Sequence, residues 1–503
     1  MWFILSSYWI NSTENLENYE NLSKNLKVDV CIIGAGMFGL TTGYYLAKSG
    51  QKVAILDEDK IGMKASGNTS AKITFAHGLI YDYLISSFGS DFAFDYLRAN
   101  KEAISNIKKI INKENIDCDF EYQPNYIYTI EQSEVSKIHS ECKALETLHE
   151  PAEFVTSSAL PFKIAGAIKI DNQAQFHPRK YMLGLANSIV KYGGQIFENS
   201  QVQDIVKNVN DYDVLVNNFK VTAKYVVVAS HFPFPKFAGL YFSKMYQSTS
   251  YCLALDTNSK AFDGMFINVK EPIYSFRTAK FGDKRLLILT GAGHKTGFSV
   301  TEADSYGKLE SFAFKLFPNA NVLYKWNTRD AISLDKIPYI GVLSGLMPNC
   351  FVGTGFNKWG MTSSNVAANI VSDKILGINN NYAYVFNSSR MHPFKNFGEV
   401  KNMSSQVFKS FVSNRLQIPK EDLSAIQNDN GGIINVDGTN IGIYKDSSGN
   451  IFAVNPTCTH LGCLLTWNNL DKTWDCPCHG SRFNFKGENL YDPAFKNLEK
   501  FGL

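Results

Sequence analysis

The sequence lacks any concentration of charge of one sign. Lys and Arg number 50 against 47 Asp and Glu, a net charge of +3, and the basic residues form no cluster. Proteins that bind nucleic acid or anionic membrane surfaces gather their cations, so neither partner is expected. Long apolar runs are missing too. The opening stretch Met1-Trp2-Phe3-Ile4-Leu5 breaks off within about ten residues, has no basic flank and shows no small-residue cleavage site. Spanning a bilayer takes roughly 20 apolar residues, and no twin-arginine pair is present. A cytoplasmic protein without an integral membrane segment is therefore expected. Histidine is scarce, with 9 residues, and none lies in an Asp/Glu-x-x-His-x-x-x-x-His segment. That argues against the two-histidine, one-carboxylate iron of an oxygenase.

What is present is a chain of 503 residues, 45% hydrophobic and 19% charged, too long for one core and suited to two or three domains. Of its cysteines, Cys31, Cys118, Cys142, Cys252 and Cys350 are scattered without ligand-like spacing and read as buried, reduced thiols. Cys458, Cys463, Cys476 and Cys478 crowd together beside two histidines, a density that asks for a metal site.

After a polar lead-in, Val28-Asp29-Val30-Cys31-Ile32-Ile33 is a short β-branched run of the kind buried in a parallel sheet. Gly34-Ala35-Gly36-Met37-Phe38-Gly39, a helix to about Lys48 and the strand Val53–Leu56 follow, making a βαβ unit that closes on Asp57. Residues 80–150 read as helical, and a helix is expected near 178–192. The region 245–300 reads as antiparallel strands, followed by helices near 301–316 and 362–376. Residues from Gly432 onward are short strands separated by turns.

The three glycines of this motif serve different ends. Gly34 permits the tight turn, Gly36 the close approach of backbone to a pyrophosphate, and Gly39 the helix–strand packing. The helix that follows offers free N–H groups to phosphates, and Asp57 is placed to bond a ribose hydroxyl. The order of strand, glycines, helix, strand and acid points to a dinucleotide. It leaves FAD and NAD open.

The C-terminal boxes are Cys458-Thr459-His460-Leu461-Gly462-Cys463 and Cys476-Pro477-Cys478-His479-Gly480-Ser481. Each supplies one thiolate and one imidazole, from Cys458 and His460 and from Cys476 and His479. A Rieske [2Fe-2S] centre uses two thiolates on one iron and two imidazoles on the other. Structural zinc is the competing reading, but it leaves Cys463 and Cys478 unexplained.

Most of residues 1–380 resembles the glycine/D-amino acid oxidase (DAO) family of flavoproteins, which favours FAD. Gly67-Asn68-Thr69-Ser70-Ala71-Lys72-Ile73-Thr74 looks like that family's segment beneath the flavin, implying contacts from Ser70, Ala71, Lys72, Ile73 and Thr74. The stretch Gly353–Thr362 resembles its C-terminal motif, implying contacts from Gly355, Gly360, Met361 and Thr362, and Asp330 fits the same family. No cysteine stands near Tyr324-Lys325-Trp326-Asn327, so the FAD is expected to be non-covalent. Arg277, His294, Lys295 and Lys72 are weak candidates for the catalytic site, with Arg277 favoured for a substrate carboxylate because its planar fork suits that group. A surface or packing role is the competing reading for each.

The C-terminal boxes resemble the cytochrome bc-complex type of Rieske protein. That resemblance implies a disulfide between Cys463 and Cys478, with a pair of buried thiols as the alternative. It also implies a hydroxyl donor in Ser481 and, at Phe483, the loss of a tyrosine donor. With one donor fewer, the cluster potential is expected below the top of the Rieske range.

The fold class expected is α/β plus all-β, a Rossmann-like FAD domain interleaved with an antiparallel-sheet substrate domain and followed by a small β domain. The expected boundaries are 1–27 lead-in; 28–380 flavoprotein, with FAD-binding parts near 28–80, 160–235 and 325–380 and substrate parts near 81–159 and 236–324; 381–430 linker; and 431–503 Rieske domain. The resemblance implies an FAD-dependent oxidoreductase acting on a small amine or amino acid, with an external electron carrier docking near His460 and His479. A redox sensor without turnover, and electron flow from cluster to flavin, stay open at this point.

Overall fold

A computed structural model describes residues 4–13, 18–233, 238–257, 262–296, 302–390 and 426–501 other than 437, 470, 492 and 495. The chain divides into two compact units. The first is Met1–Gly239, Ser250–Ala292 and Leu309–Met391; the second is Leu240–Thr249, Gly293–Lys308 and His392–Leu503.

The first unit is built on Leu26–Ile33, in which Val30, Cys31 and Ile32 have no exposed surface. It lies between Val53–Leu56 and Phe219–Val228, parallel to both. Gln195–Phe197 extends the parallel order on one side and Met347–Thr354 on the other, with Tyr339–Ser344 antiparallel at the edge. Burial on both faces accounts for the unbroken apolar run. Helices Met37–Lys48, Pro178–Lys191 and Gly360–Leu376 supply the covering layer, the first packing against the other two.

A ten-stranded sheet runs in the order Ile4–Leu5, Asn321–Ser333, Met245–Asp256, Lys284–Lys295, Ser275–Phe281, Met265–Asn268, Glu121–Thr129, Gly166–Gln175, Lys72–Ile73, with Glu153–Val155 pairing on Gly166–Gln175. Two features depart from what the sequence predicts. The helical region 80–150 holds three helices, Tyr81–Phe88, Ser90–Glu114 and Val135–Thr147, interrupted by the strand Glu121–Thr129. That strand is held by antiparallel pairing to Gly166–Gln175 and parallel pairing to Met265–Asn268, partners remote in sequence. Gly166–Gln175 and most of Asn321–Ser333, expected at or beside the FAD-binding parts, also belong to this sheet, so the chain alternates between sheets more often than the expected boundaries imply.

The lead-in is structural where it is described. Ile4 and Leu5 pair in parallel with Tyr324 and Lys325, and Tyr8, Trp9 and Ile10 are buried. Of the expected linker, residues up to 390 pack into the first unit: Val385 and Phe386 have no exposed surface, and Arg390 grips Asp335 through Nε and Nη2 at 2.7 and 2.9 Å. Residues 391–425 lie outside the described residues.

The C-terminal part of the second unit has two four-stranded antiparallel sheets. One runs Asn430–Val436, Thr439–Lys445, Ile451–Val454, Lys500–Phe501; the other runs Thr466–Asn468, Thr473–Asp475, Arg482–Asn484, Asn489–Tyr491. Val454, Leu465, Trp474, Phe483, Ala494 and Leu498 form its core together with Cys458, Cys463, Cys476 and Cys478. The buried Arg482 holds both oxygens of Asp475 at 2.6 Å and also bonds Asp471, so its charge is compensated on three sides.

Candidate functional site

The glycine turn is closed to any side chain. A Cβ on Gly34, which has φ +111°, would lie 2.7 Å from the Ala229 carbonyl oxygen, and one on Gly39 would lie 1.9 Å from the oxygen of Gly34. Gly36 is the N-cap of helix Met37–Lys48 and makes no side-chain cap. The Met37 N–H donates to Ser66 Oγ at 3.1 Å, a partner that the sequence motifs do not include although it directly precedes segment 67–74. Asp57 accepts N–H bonds from Ala35 at 2.6 Å and Asp59 at 2.9 Å. Desolvation raises its carboxyl to about 7, with those two bonds opposing. Its oxygens keep further lone pairs for a ribose hydroxyl.

The segment 67–74 is anchored from several directions. Ser7 Oγ donates to the Gly67 carbonyl at 2.6 Å, Trp326 Nε1 to Asn68 at 2.9 Å and Trp9 Nε1 to Thr69 at 2.7 Å. Ala71 is buried with φ 58°, a left-handed conformation that costs energy for a residue with a Cβ and is held by this packing. Thr74 Oγ1 donates to Gln173 Oε1 at 2.9 Å, while its carbonyl accepts from Thr362 Oγ1 at 3.0 Å. Ile73 is wholly buried.

Arg277, with 2% of its surface exposed, donates from Nη1 to the carbonyls of Ser70, Ala71 and Phe176 at 3.2, 2.7 and 3.1 Å. The ring of Trp9 lies 5.1 Å from its guanidinium. Lys72 Nζ donates to the Phe266 carbonyl at 2.7 Å and to Ser275 Oγ, and burial lowers its pKa. Both side chains brace the segment. His294 and Lys295 fall in the second unit.

The second motif reaches its helix through two consecutive left-handed residues, Asn357 at φ 52° and Lys358 at φ 71°, after Gly355 at φ 69°. Gly360 opens helix Gly360–Leu376, and Met361 and Thr362 are buried in its first turn. His77 stacks on Trp359 at 5.0 Å and bonds Tyr96 and Thr362; burial lowers its pKa to about 3, so its ring is neutral. Lys358 Nζ donates to Ser250 Oγ at 2.9 Å. Desolvation raises Asp330 to about 6, with the charge of Lys358 opposing. Cys252 Sγ lies 3.3 Å from Thr290 Oγ1 and feels both charges. Ser250, Cys252 and Thr290 carry no local signal; the sheet alone assembles them.

The glycine turn, the helix N-terminus behind a cap residue without a side chain, the acid at the second strand and the firmly anchored segment together fit FAD.

The two cluster loops close in the same way. Cys458 N–H bonds the Cys463 carbonyl and Gly462 N–H bonds that of Cys458, at 2.8 and 2.9 Å; Cys476 with Ser481 and Gly480 with Cys476 repeat this at 2.7 and 2.9 Å. Each ligating sulfur faces the N–H groups two and three residues on, His460 and Leu461 for Cys458, and Cys478 and His479 for Cys476. A hydrogen bond from Cys476 lowers the Cys458 thiol, so the two sulfurs are adjacent. The rings of His460 and His479 are 4.9 Å apart, and all four ligands are at most 7% exposed. Cys463 and Cys478 form the disulfide, with Cα atoms 6.5 Å apart. Ser481 bonds the Cys458 sulfur and accepts the Ala494 N–H at 3.0 Å, and Phe483 is wholly buried. Two adjacent thiols, two neighbouring imidazoles and N–H donors facing the sulfurs suit a [2Fe-2S] cluster.

These two sites define a flavin-dependent oxidoreductase that carries its own iron–sulfur centre. The chain belongs to the family described as FAD dependent oxidoreductase (DAO), matched over residues 29–374, and has a Rieske [2Fe-2S] domain over residues 418–502. It is 35% identical over 497 residues to the Rieske 2Fe-2S iron-sulfur protein YhfW of Bacillus subtilis (strain 168), covering 99% of this chain and 97% of that one. Gamma-glutamylputrescine oxidoreductase of Escherichia coli (strain K12) is 23% identical over 393 residues, 74% of this chain and 89% of that protein. In fold, the chain is similar to glycine oxidase from Geobacillus kaustophilus, with a TM-score of 0.61 at 18% identity over 73% of this chain and all of that one. No helix among the described residues is long and apolar enough to cross a membrane.

Proposed function

We propose that the protein oxidises a small amine or amino acid by hydride transfer to FAD, exchanges single electrons between flavin and cluster, and passes them to an external carrier. The observation that carries this reading is the fusion in one chain of an amino-acid-oxidase fold with a cluster of Rieske ligands. Bound FAD supplies a two-electron acceptor and the cluster a one-electron store. The related gamma-glutamylputrescine oxidoreductase and the structurally similar glycine oxidase support an amine or amino acid as substrate.

Lys358, fixed by Ser250, is assigned to orient an anionic end of the substrate. Asp330 is its counter-charge, and its raised pKa suits it to take a proton from a substrate ammonium near neutral pH. Anaerobic mixing with a panel of amines and amino acids tests the reading, following flavin bleaching together with the reduced-cluster EPR signal. Both signals are expected from the same substrate. Bleaching without cluster reduction sinks the relay, and no bleaching across the panel sinks the substrate class. Lys358→Met should raise KM for carboxylate-bearing substrates more than it lowers kcat.

A further inference from the structure

The second unit includes Leu240–Thr249 from a remote part of the chain as well as the cluster loops. Phe242 of that segment stands perpendicular to both ligating imidazoles, its ring centroid 6.1 Å from that of His460 and 5.9 Å from that of His479, with interplanar angles of 78° and 86°. The two imidazoles are themselves 4.9 Å apart, so one aromatic side chain covers the pair. Gln247 of the same segment packs against the loop glycine beside His479: a Cβ on Gly480 would lie 2.9 Å from Gln247 Cβ. The equivalent glycine of the other loop, Gly462, shares the left-handed backbone, so loop closure alone explains a glycine at both positions. The approach of Gln247 is a second and independent reason at Gly480. With this cover in place, His460 is 4% exposed and His479 7%.

We infer that Leu240–Thr249 is a built-in cover for the histidine edge of the cluster. The partner this edge fits is the protein's own chain, and an external carrier docks on another face of the unit. This replaces the docking position near His460 and His479 suggested by the sequence. The inference depends on the cluster assignment and not on the identity of the substrate. Shielding by an aromatic ring also keeps water from the imidazoles, an outer-shell influence on the cluster.

Diethyl pyrocarbonate acylates imidazole nitrogens open to solvent, and mass mapping of the holoprotein reads the result residue by residue. The exposed His149 is the internal control. His460 and His479 are expected to stay unlabelled in the wild type while His149 reacts. Phe242→Ala should expose them to labelling with the cluster EPR signal retained, and Phe242→Leu should restore most of the protection. Cluster reduction by dithionite should be several-fold faster in Phe242→Ala than in the wild type. Labelling of His479 in the wild type as fast as His149 overturns the inference, as does full protection in a cluster-bearing Phe242→Ala. If the variants lose their cluster, the wild-type labelling pattern decides alone.

Discussion

Replacing Cys463 and Cys478 together by alanine removes the covalent tie between the cluster loops. The two residues are separated by 15 positions, and closing such a loop takes about 10 cal/mol/K of entropy from the unfolded chain, about 3 kcal/mol at 25 °C. The hairpin Thr466–Asn468 with Thr473–Asp475 lies inside the loop and is held by its own pairing, so the effect falls chiefly on the unfolded state. A domain this small buries little apolar surface, and a loss of that size is a large share of its stability. Guanidinium chloride unfolding of the holoprotein, followed through the visible absorbance of the cluster, measures it. With a slope of roughly 3 kcal/mol per M, the midpoint should fall by about 1 M. An unchanged midpoint and slope, in a protein whose wild-type thiol titration shows the pair bonded, refutes the reasoning.

Gly39→Ala forces a Cβ against the Gly34 carbonyl oxygen, and purified protein should contain little or no flavin by absorbance per polypeptide. Asp57 has a folded pKa raised from 3.8 to about 7, so its contribution to stability is present at low pH and lost as pH rises through that window. In flavin-free protein, Asp57→Asn should flatten this part of the dependence of Tm on pH; identical profiles would count against it. Ser481→Ala removes a hydroxyl from the Cys458 sulfur, a bond to a charged acceptor worth about 1.5–3 kcal/mol. At about 1.4 kcal/mol per 59 mV, redox titration should show the potential lowered by at most roughly 130 mV, since only the difference in that bond between the reduced and oxidised cluster counts. Phe483→Tyr should shift it upward, and no movement in either variant would remove these residues as tuning groups.

The chemistry legible in the sequence is the chemistry carried in contiguous stretches. Four cluster ligands, the pair Cys463 and Cys478, and Gly34, Gly36 and Gly39 all lie in runs of six residues, where spacing alone constrains geometry. What escaped was assembled across the sheets. Glu121–Thr129 carries Pro124 and a weak alternation, and owes its strand state to partners far along the chain. Arg277 has the fork that suits a substrate carboxylate, yet four main-chain carbonyls take its Nε and Nη1 donors, a role no local pattern encodes. Ser7 and Trp9, from the stretch read as a lead-in, hold Gly67 and Thr69. Their signal was the apolar start of the chain, which is packing surface.

The second unit is discontinuous in sequence, and this bears on how it is made. Leu240–Thr249 leaves the ribosome long before Cys458 and Cys476, so the covering segment must wait for the loops it will cover. Closing that cover is a contact of large sequence separation and should be among the slower steps in the folding of this unit. A fragment beginning at residue 426 would keep the ligands and lose Phe242, so any cluster it held would lack this cover.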